Sequence, residues 1–211
     1  MDSVEYRPLQ NEDIDALGAI LGDIWHSYTE GRKRIVSGII DLANFAQRNT
    51  FAEVAVAGGS PVGVIMARAG LPSKETQERW SSVMQHACKK LDELGGSAAD
   101  LARFFDAMKQ ADHDLLEQSA SNPDFELVLF AVSDSTRGLG IGSTLMKHAQ
   151  HYLANHGGSK AFILTDTDCS WEYYEHQGMK RVAERSFADD KDRILPERMF
   201  VYEMDLSVIE R

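Results

Sequence analysis

A glycine-rich turn is the part of the sequence with the clearest capacity for chemistry. It follows an apolar segment and precedes an amphipathic one, and it contains Val132, Arg137, Gly138, Gly140, Ile141, Gly142 and Ser143. Glycines let a backbone turn sharply and approach a ligand closely. The first turn of a helix offers unpaired N–H groups at the positive end of its dipole. With an arginine beside them, these features predict a site for a phosphate-bearing ligand.

The spacing of the glycines excludes two common phosphate-binding loops. The chain has no G-K-S/T, so the turn is not a Walker A loop. The dinucleotide pattern G-x-G-x-x-G also fails, because Ser143 stands at its last position and the turn comes late in the chain. Alone, the turn indicates an anion at a helix start, and a strand-to-helix turn that binds nothing is the alternative.

A second segment gives the turn its context. The pattern R-G-x-G-I-G after a strand ending in valine, followed by YYEHQGM at 173–179, resembles the GNAT superfamily of N-acetyltransferases. That family has V-x-P-x-x-R-G-x-G-[IV]-G at its acetyl-CoA site and F-Y-x-x-x-G-F further on. The resemblance covers residues 125–180, with Asp134 in place of the proline and Met179 in place of the last phenylalanine.

The resemblance implies how acetyl-CoA, the co-substrate, would be held. The backbone of Val132 would bond to the pantetheine arm where two parallel strands splay apart. The pyrophosphate would be held by the amides of Arg137, Gly138, Gly140, Ile141, Gly142 and Ser143. Ser170 would touch the coenzyme or cap the short helix that follows it.

Transfer of an acetyl group to an amine also needs groups that move protons. A free alkyl amine has a pKa near 10.4, so a base must remove its proton before it attacks. By resemblance, Tyr174 is the general acid near the sulfur, with core packing as its alternative, and Tyr173 is expected to pack. The same resemblance makes Glu126 the predicted base; a solvated charge is its alternative, and Asp166, Asp168 or water could serve instead.

Three other reactive side chains receive plainer interpretations. Cys169 lies close to the expected cleft, but direct transfer is the family norm, so a small packing residue is favoured over an acyl-cysteine. His148 and His151 share a helix face. Because no third ligand has a matching spacing, a solvated face is favoured and no metal site is predicted.

The expected reaction is direct attack by a primary amine of a small molecule or a peptide. The excess of acidic residues favours a cationic acceptor through electrostatic steering. Two rival functions remain open at this point: a non-catalytic sensor that binds acyl-CoA, and a transferase of a longer acyl group.

The elements that must position these residues form a mixed α/β pattern. Apolar residues recur at helical spacings of three and four in some segments and form short strand-like runs in others. The predicted strands are 4–9, 51–57, 61–67, 125–132, 161–165, 181–187 and 199–206; the predicted helices are 14–28, 35–46, two within 73–122, one after the glycine turn and 170–177. By resemblance, the central sheet is mostly antiparallel with a splayed parallel pair.

Length and composition limit the class of protein. With 211 residues the chain fits a single domain, 1–211, in which 73–122 is a helical-hairpin insertion. We expect the insertion to wall the acceptor site or to form a homodimer contact. The formal charge of −11 argues against nucleic-acid binding, and the longest apolar run, 127–132, is too short to cross a membrane. With no secretory signal and two cysteines, a cytoplasmic protein with reduced thiols is expected.

Overall fold

The computed structural model describes residues 3–119, 121–122, 124–136, 138–191 and 193–209. Its elements are β1 (Glu5–Pro8), α1 (Ile14–Trp25), α2 (Gly31–Ala46), β2 (Phe51–Ala57), β3 (Ser60–Ala69), α3 (Lys74–Glu93), α4 (Ala98–Ser119), β4 (Phe125–Val132), α5 (Ile141–Asn155), β5 (Lys160–Asp166), α6 (Glu172–His176), β6 (Lys180–Ser186) and β7 (Arg198–Asp205). The order of strands and helices is the predicted one. In this part of the chain no helix is both long enough and apolar enough to span a bilayer.

The seven strands form one mixed sheet in the order β1-β2-β3-β4-β5-β7-β6. All neighbouring pairs are antiparallel except β4 and β5, which confirms the predicted fold class. β3 pairs with β4 from Phe125 to Val132, whereas β5 meets β4 in register only where Phe162 lies opposite Glu126. The two parallel strands therefore separate, and one edge of β4 is open toward Val132.

Helices cover both faces of this sheet. On one face, Leu145 and Leu153 of α5 are fully buried in a cluster with Ile65 of β3. On the other face, Leu17 of α1 and Leu42 of α2 are fully buried against β2, β3 and β4. Each large apolar side chain buried in this way contributes about 1.5–3 kcal/mol to folding. The two layers fix the sheet, and with it the gap between β4 and β5.

The two inserted helices do not form a closely packed pair. Ala87 and Leu91 place α3 against α2, whereas Ala111 and Leu115 place α4 against β5 and β7. The helices meet each other mainly near their connecting turn, where Leu94 and Leu101 belong to one cluster. Each apolar stripe thus faces a different partner, so α4 extends across the face that carries α1 and α2 to reach β5 and β7 instead of lying along α3. This departs from a compact hairpin.

Glycines allow α1 and α2 to approach very closely. A Cβ at Gly38 would lie 2.1 Å from the backbone oxygen of Gly18 and 2.6 Å from the amide nitrogen of Gly22. The same contact holds His26 beside Asp41, whose Oδ2 lies 2.6 Å from the imidazole Nε2. The close approach therefore fixes one wall of the cleft described below.

We expect Gly38→Ala to destabilise the protein. Alanine is favoured over glycine by about 1 kcal/mol in a helix interior, but the added methyl group would force α1 and α2 apart. Overpacking of this kind costs about 1–3 kcal/mol, so the free energy of unfolding should fall. Urea unfolding followed by circular dichroism measures it, and an unchanged or higher stability would contradict the proposed constraint.

Candidate functional site

A cavity of about 2270 Å³ opens where β4 and β5 separate. It is lined by α1, α2 and α4 on one side and by the glycine turn, the two strands and α6 on the other. Among the predicted site residues, those that line it are Glu126, Val132, Gly138, Gly140, Ile141, Gly142, Ser143, Ser170 and Tyr174. Arg137 lies outside the described residues. The structure thus brings the rest of the predicted site to one cleft.

The glycine turn presents backbone groups to this cleft. Gly138 and Gly140 have φ angles of 82° and 73°, values that side chains other than glycine rarely adopt. The first hydrogen bond of α5 runs from the Thr144 N–H to the Gly140 oxygen at 3.1 Å. The N–H groups of residues 141–143 consequently have no partner within the helix. A Cβ at Gly142 would lie 3.0 Å from the Phe130 ring, so glycine also lets the turn sit close to β4.

Two adjacent tyrosines of α6 reach the cavity. Tyr174 is buried and packs near Tyr202 at a ring distance of 5.9 Å. Burial raises the pKa of Tyr174 above its usual value, which keeps its hydroxyl protonated. Tyr173 packs on Phe130 at 5.3 Å, and its hydroxyl oxygen is buried with no hydrogen-bond partner among the described residues. Both tyrosines line the cavity. Their positions therefore do not distinguish the predicted general acid, Tyr174, from the predicted packing residue, Tyr173, and mutation is needed to test the two roles.

Glu126 is buried and ion-paired, and is not a solvated charge at a strand end. Its Oε2 accepts hydrogen bonds from Arg68 Nε at 3.0 Å and Nη2 at 2.9 Å. Its Oε1 lies 3.0 Å from Arg48 Nη2. Both carboxylate oxygens are therefore already occupied by arginines, so the geometry weighs against Glu126 as the group that contacts an acceptor amine.

The end of β5 and the turn that follows it hold a buried acid, Asp166, and a partly buried thiol, Cys169. Asp166 accepts the N–H of Asp168 at 2.8 Å, and burial raises the pKa of Asp166 to about 6. Burial also raises the pKa of Cys169 to about 12, so this side chain stays a thiol at neutral pH. A thiol is a poor nucleophile, which supports the packing interpretation over an acyl-cysteine.

The remaining predicted positions lie at the edge of the cavity or outside it. Ser170 is exposed, and the N-cap of α6 is Trp171, without a side-chain cap bond. His148 lies 2.5 Å from a carboxylate oxygen of Glu53, and His151 is exposed. Within the described ranges, no three His, Cys, Asp or Glu side chains are grouped as metal ligands would be.

Asp112 of α4 is the cavity residue that sequence reasoning missed. Its Oδ1 is buried and has no hydrogen-bond partner within the described part of the chain. Burial raises the pKa of Asp112 to about 7; Arg48 opposes that rise, and Glu126 and Asp166 add to it. A signal was present in the sequence, because Asp112 interrupts an apolar stripe four residues after Met108.

The comparison with protein families decides the identity. The family model described as "Acetyltransferase (GNAT) family" matches residues 19–179. The chain belongs to the GNAT acetyltransferase family. A search of curated protein sequences finds no significant match.

Solved structures agree with this GNAT assignment. Aminoglycoside 6′-acetyltransferase type Ii superposes with a TM-score of 0.56 at 18% identity, over 98% of this chain and 99% of that chain. The ribosomal-protein-S18-alanine N-acetyltransferase from Escherichia coli gives 0.55 at 11% identity, over 99% and 97%. A GNAT acetyltransferase from Desulfovibrio desulfuricans gives 0.55 at 12%, over 97% and 99%. At these identities the likeness shows the GNAT fold and not the substrate.

We expect Asp166→Asn to remove a pH-dependent loss of stability. Because the folded protein raises the pKa of Asp166 from 3.8 to about 6, its proton stabilises the fold fully below pH 4, and this contribution is lost as the pH rises through 6. Relative to the variant, the wild type should therefore lose about 1–3 kcal/mol of unfolding free energy between about pH 4 and pH 7.

Urea unfolding across this pH range measures the difference. Asp189→Asn is the control, because Asp189 is exposed and is not among the charges that act on Asp166, so its removal should leave the pH dependence close to that of the wild type. A stability difference between wild type and Asp166→Asn that does not change with pH would contradict the assigned burial effect.

Proposed function

We propose that this protein transfers an acetyl group from acetyl-CoA to a primary amine of a small molecule or a peptide. The observation that carries the proposal is the joint position of the glycine turn and the open edge of β4. Both border one cavity, so a ligand with a diphosphate at one end and an extended arm at the other can contact both. The family supports acetyl transfer.

The residues present fit acetyl-CoA at both of these places. The free N–H groups at 141–143 and the positive end of the α5 dipole suit a diphosphate. Just past the end of β4, the Ser133 N–H donates to the Val62 carbonyl oxygen at 2.8 Å on the β3 side, while Val132 also lines the cavity. Amide groups of the pantetheine arm can pair there. When bound, acetyl-CoA supplies a thioester whose carbonyl carbon an amine can attack.

The protein's contribution to the reaction would be position and proton handling. Holding two reactants together in the correct geometry removes much of the entropic barrier to their reaction. Tyr174 would donate a hydrogen bond, and then its proton, toward the departing sulfur. The raised pKa keeps this proton in place beforehand, and packing in the core fixes the ring.

The acceptor is proposed to be a cationic amine. The names of two GNAT structures similar to this chain identify an aminoglycoside and a ribosomal-protein alanine as acceptors, which supports both a small-molecule and a peptide amine. A formal charge of −11 attracts cations from solution.

Thiol release with acetyl-CoA and a panel of amines tests the function. The panel contains aminoglycosides, polyamines, amino-acid amides and short peptides with a free N-terminus. Turnover on at least one of them is expected. Coenzyme binding without turnover on any amine would instead support a sensor, and preference for propionyl- or succinyl-CoA in competition would support transfer of a longer acyl group.

We expect Gly140→Trp to abolish coenzyme binding. A Cβ at this position meets no atom within 4 Å, so the indole would project into the space assigned to the phosphates. Gly157→Trp is a matched control, because Gly157 also has a positive φ and open surroundings but lies at the other end of α5. Calorimetry with acetyl-CoA measures both variants, and equal affinities would contradict the phosphate site.

We expect Tyr174→Phe to bind the coenzyme normally and to lose about 10²- to 10⁴-fold in kcat, the usual contribution of a general acid. The substitution keeps the buried ring and removes its hydroxyl group. Tyr173→Phe is the control from the same helix. Should Tyr173→Phe lose the rate while Tyr174→Phe keeps it, the acid would be Tyr173.

A further inference from the structure

Helix α4 brings an acidic side chain into the cleft from the segment inserted between β3 and β4. Ala111 and Leu115 hold α4 against β5 and β7, which turns Asp112 toward the cavity it lines. The residues one helical turn away in each direction, Met108 and Leu116, are apolar and also line the cavity. Asp112 is therefore held among apolar side chains at a fixed position over the gap between β4 and β5.

The buried carboxylates around this cavity differ in how their oxygens are used. Both oxygens of Glu126 are held by arginines. Asp166 accepts the N–H of Asp168, and Asp41 is bonded to His26. By contrast, Asp112 Oδ1 is buried with no partner among the residues described. A buried polar atom without a partner is costly, so this oxygen is the one left for a ligand.

A second atom indicates that the ligand is polar. Arg48 Nε is likewise buried without a hydrogen-bond partner in the described ranges, and Arg48 lines the same cavity as Asp112. The two side chains do not bond to each other. An unpaired donor and an unpaired acceptor on one cavity are satisfied by a hydrogen-bonding ligand rather than by an apolar one.

We propose that Asp112 receives the acceptor's ammonium group and takes its proton. The inference rests on the proposed function, acetyl transfer to a primary amine. One ammonium proton passes to the Asp112 carboxylate, which leaves a neutral amine with a free electron pair. That pair forms the C–N bond, and the thioester C–S bond breaks with its electrons going to sulfur, which takes the proton of Tyr174. A second nitrogen proton then restores the Tyr174 hydroxyl. The third stays on the amide, and Asp112 returns its proton to water.

The charges around Asp112 suit this role. A base works best when its pKa lies near the working pH, and burial raises the pKa of Asp112 to about 7. Charged and titratable side chains from every surrounding element line this cavity with Asp112: Asp23 of α1, His26 just after α1, Asp41 of α2, Arg48 just after α2, Arg68 of β3, Asp100, Asp106, Lys109 and His113 of α4, Glu126 of β4, Asp134 of the glycine turn, Asp166 of β5, Asp168 and Cys169 after β5, and Tyr173 and Tyr174 of α6. Arg185 of β6 is paired with Asp114 on α4.

Asp112→Asn tests the proposal, because it keeps the shape of the side chain and removes its basicity. With the best amine of the panel, kcat/KM at pH 7 should fall about 10²- to 10⁴-fold, while the affinity for acetyl-CoA is unchanged. The rise of the wild-type rate with an apparent pKa near 7 should disappear, and Asp112→Glu should restore part of both. Glu117→Gln, an exposed acid on α4, is the charge-matched control and should retain the wild-type profile.

A second set of variants identifies the titrating group. Asp166→Asn removes a negative charge that raises the pKa of Asp112, so the rise in rate should move to lower pH. In His26→Gln the rise should persist, because the imidazole is not its source. These shifts are not expected of a residue that only supports the fold.

The possible failures are distinguishable. If the wild type turns over no amine, both the proposed function and the proposed role of Asp112 are wrong. If the wild type is active and Asp112→Asn keeps its rate and pH profile, only the proposed role of Asp112 is wrong. A rate loss that is equal at every pH, or that comes with lost coenzyme affinity or lost stability in urea, would also overturn the base assignment. Asp112→Glu and Asp166→Asn decide the question if Asp112→Asn does not fold.

Discussion

The separation of β4 from β5 leaves backbone groups in the middle of a sheet without a neighbouring strand, and buried backbone groups must find partners elsewhere. β4 stays paired with β3 along its length, whereas β5 is in register with it at Glu126 alone. The sheet does not close this gap itself. Helix α5 begins at the end of this gap, and its N–H groups at 141–143 have no partner within the helix. Helix α4 crosses over the gap. A ligand that satisfies such groups is extended and anionic at one end.

The acidic residues in the cleft show how the surroundings of a carboxyl group determine what it can do. Glu126 has an arginine on each oxygen and lies at the centre of this group of charged side chains. The Asp166 carboxylate is used by the turn that follows its strand. Asp112 has neither arrangement, and the charges of Glu126 and Asp166 oppose its ionisation. Opposite charge and hydrogen bonds favour a carboxylate, while burial and like charge favour the neutral acid. The first acid is thereby suited to holding side chains in place and the last to exchanging a proton.

Much of the fold could be predicted from local features of the sequence. The strands and helices were predictable from apolar spacing, and the glycine turn was predictable because Gly138 and Gly140 occupy backbone conformations that depend on neighbouring residues only. Long-range contacts were not. Arg48 and Arg68 lie far from Glu126 in sequence, so Glu126 alone gave no sign of its ion pairs. The path of α4 was also not predictable, because an apolar stripe shows that a helix packs against something but does not identify its partner. Asp112 was missed for that reason.

The two sides of the cleft are built from different kinds of group, and this separates what the family shares from what this chain determines. The side proposed to hold the coenzyme consists mainly of backbone N–H groups, which survive extensive sequence change provided that glycine remains where φ is positive. Structures at 11–18% identity can therefore keep the same fold. The opposite side consists of side chains from α1, α2 and the inserted α4, and each substitution there alters shape or charge directly. Acceptor choice in this protein should accordingly follow α4 more closely than it follows the glycine turn, because fixed side chains discriminate between amines whereas a shared backbone cradle does not.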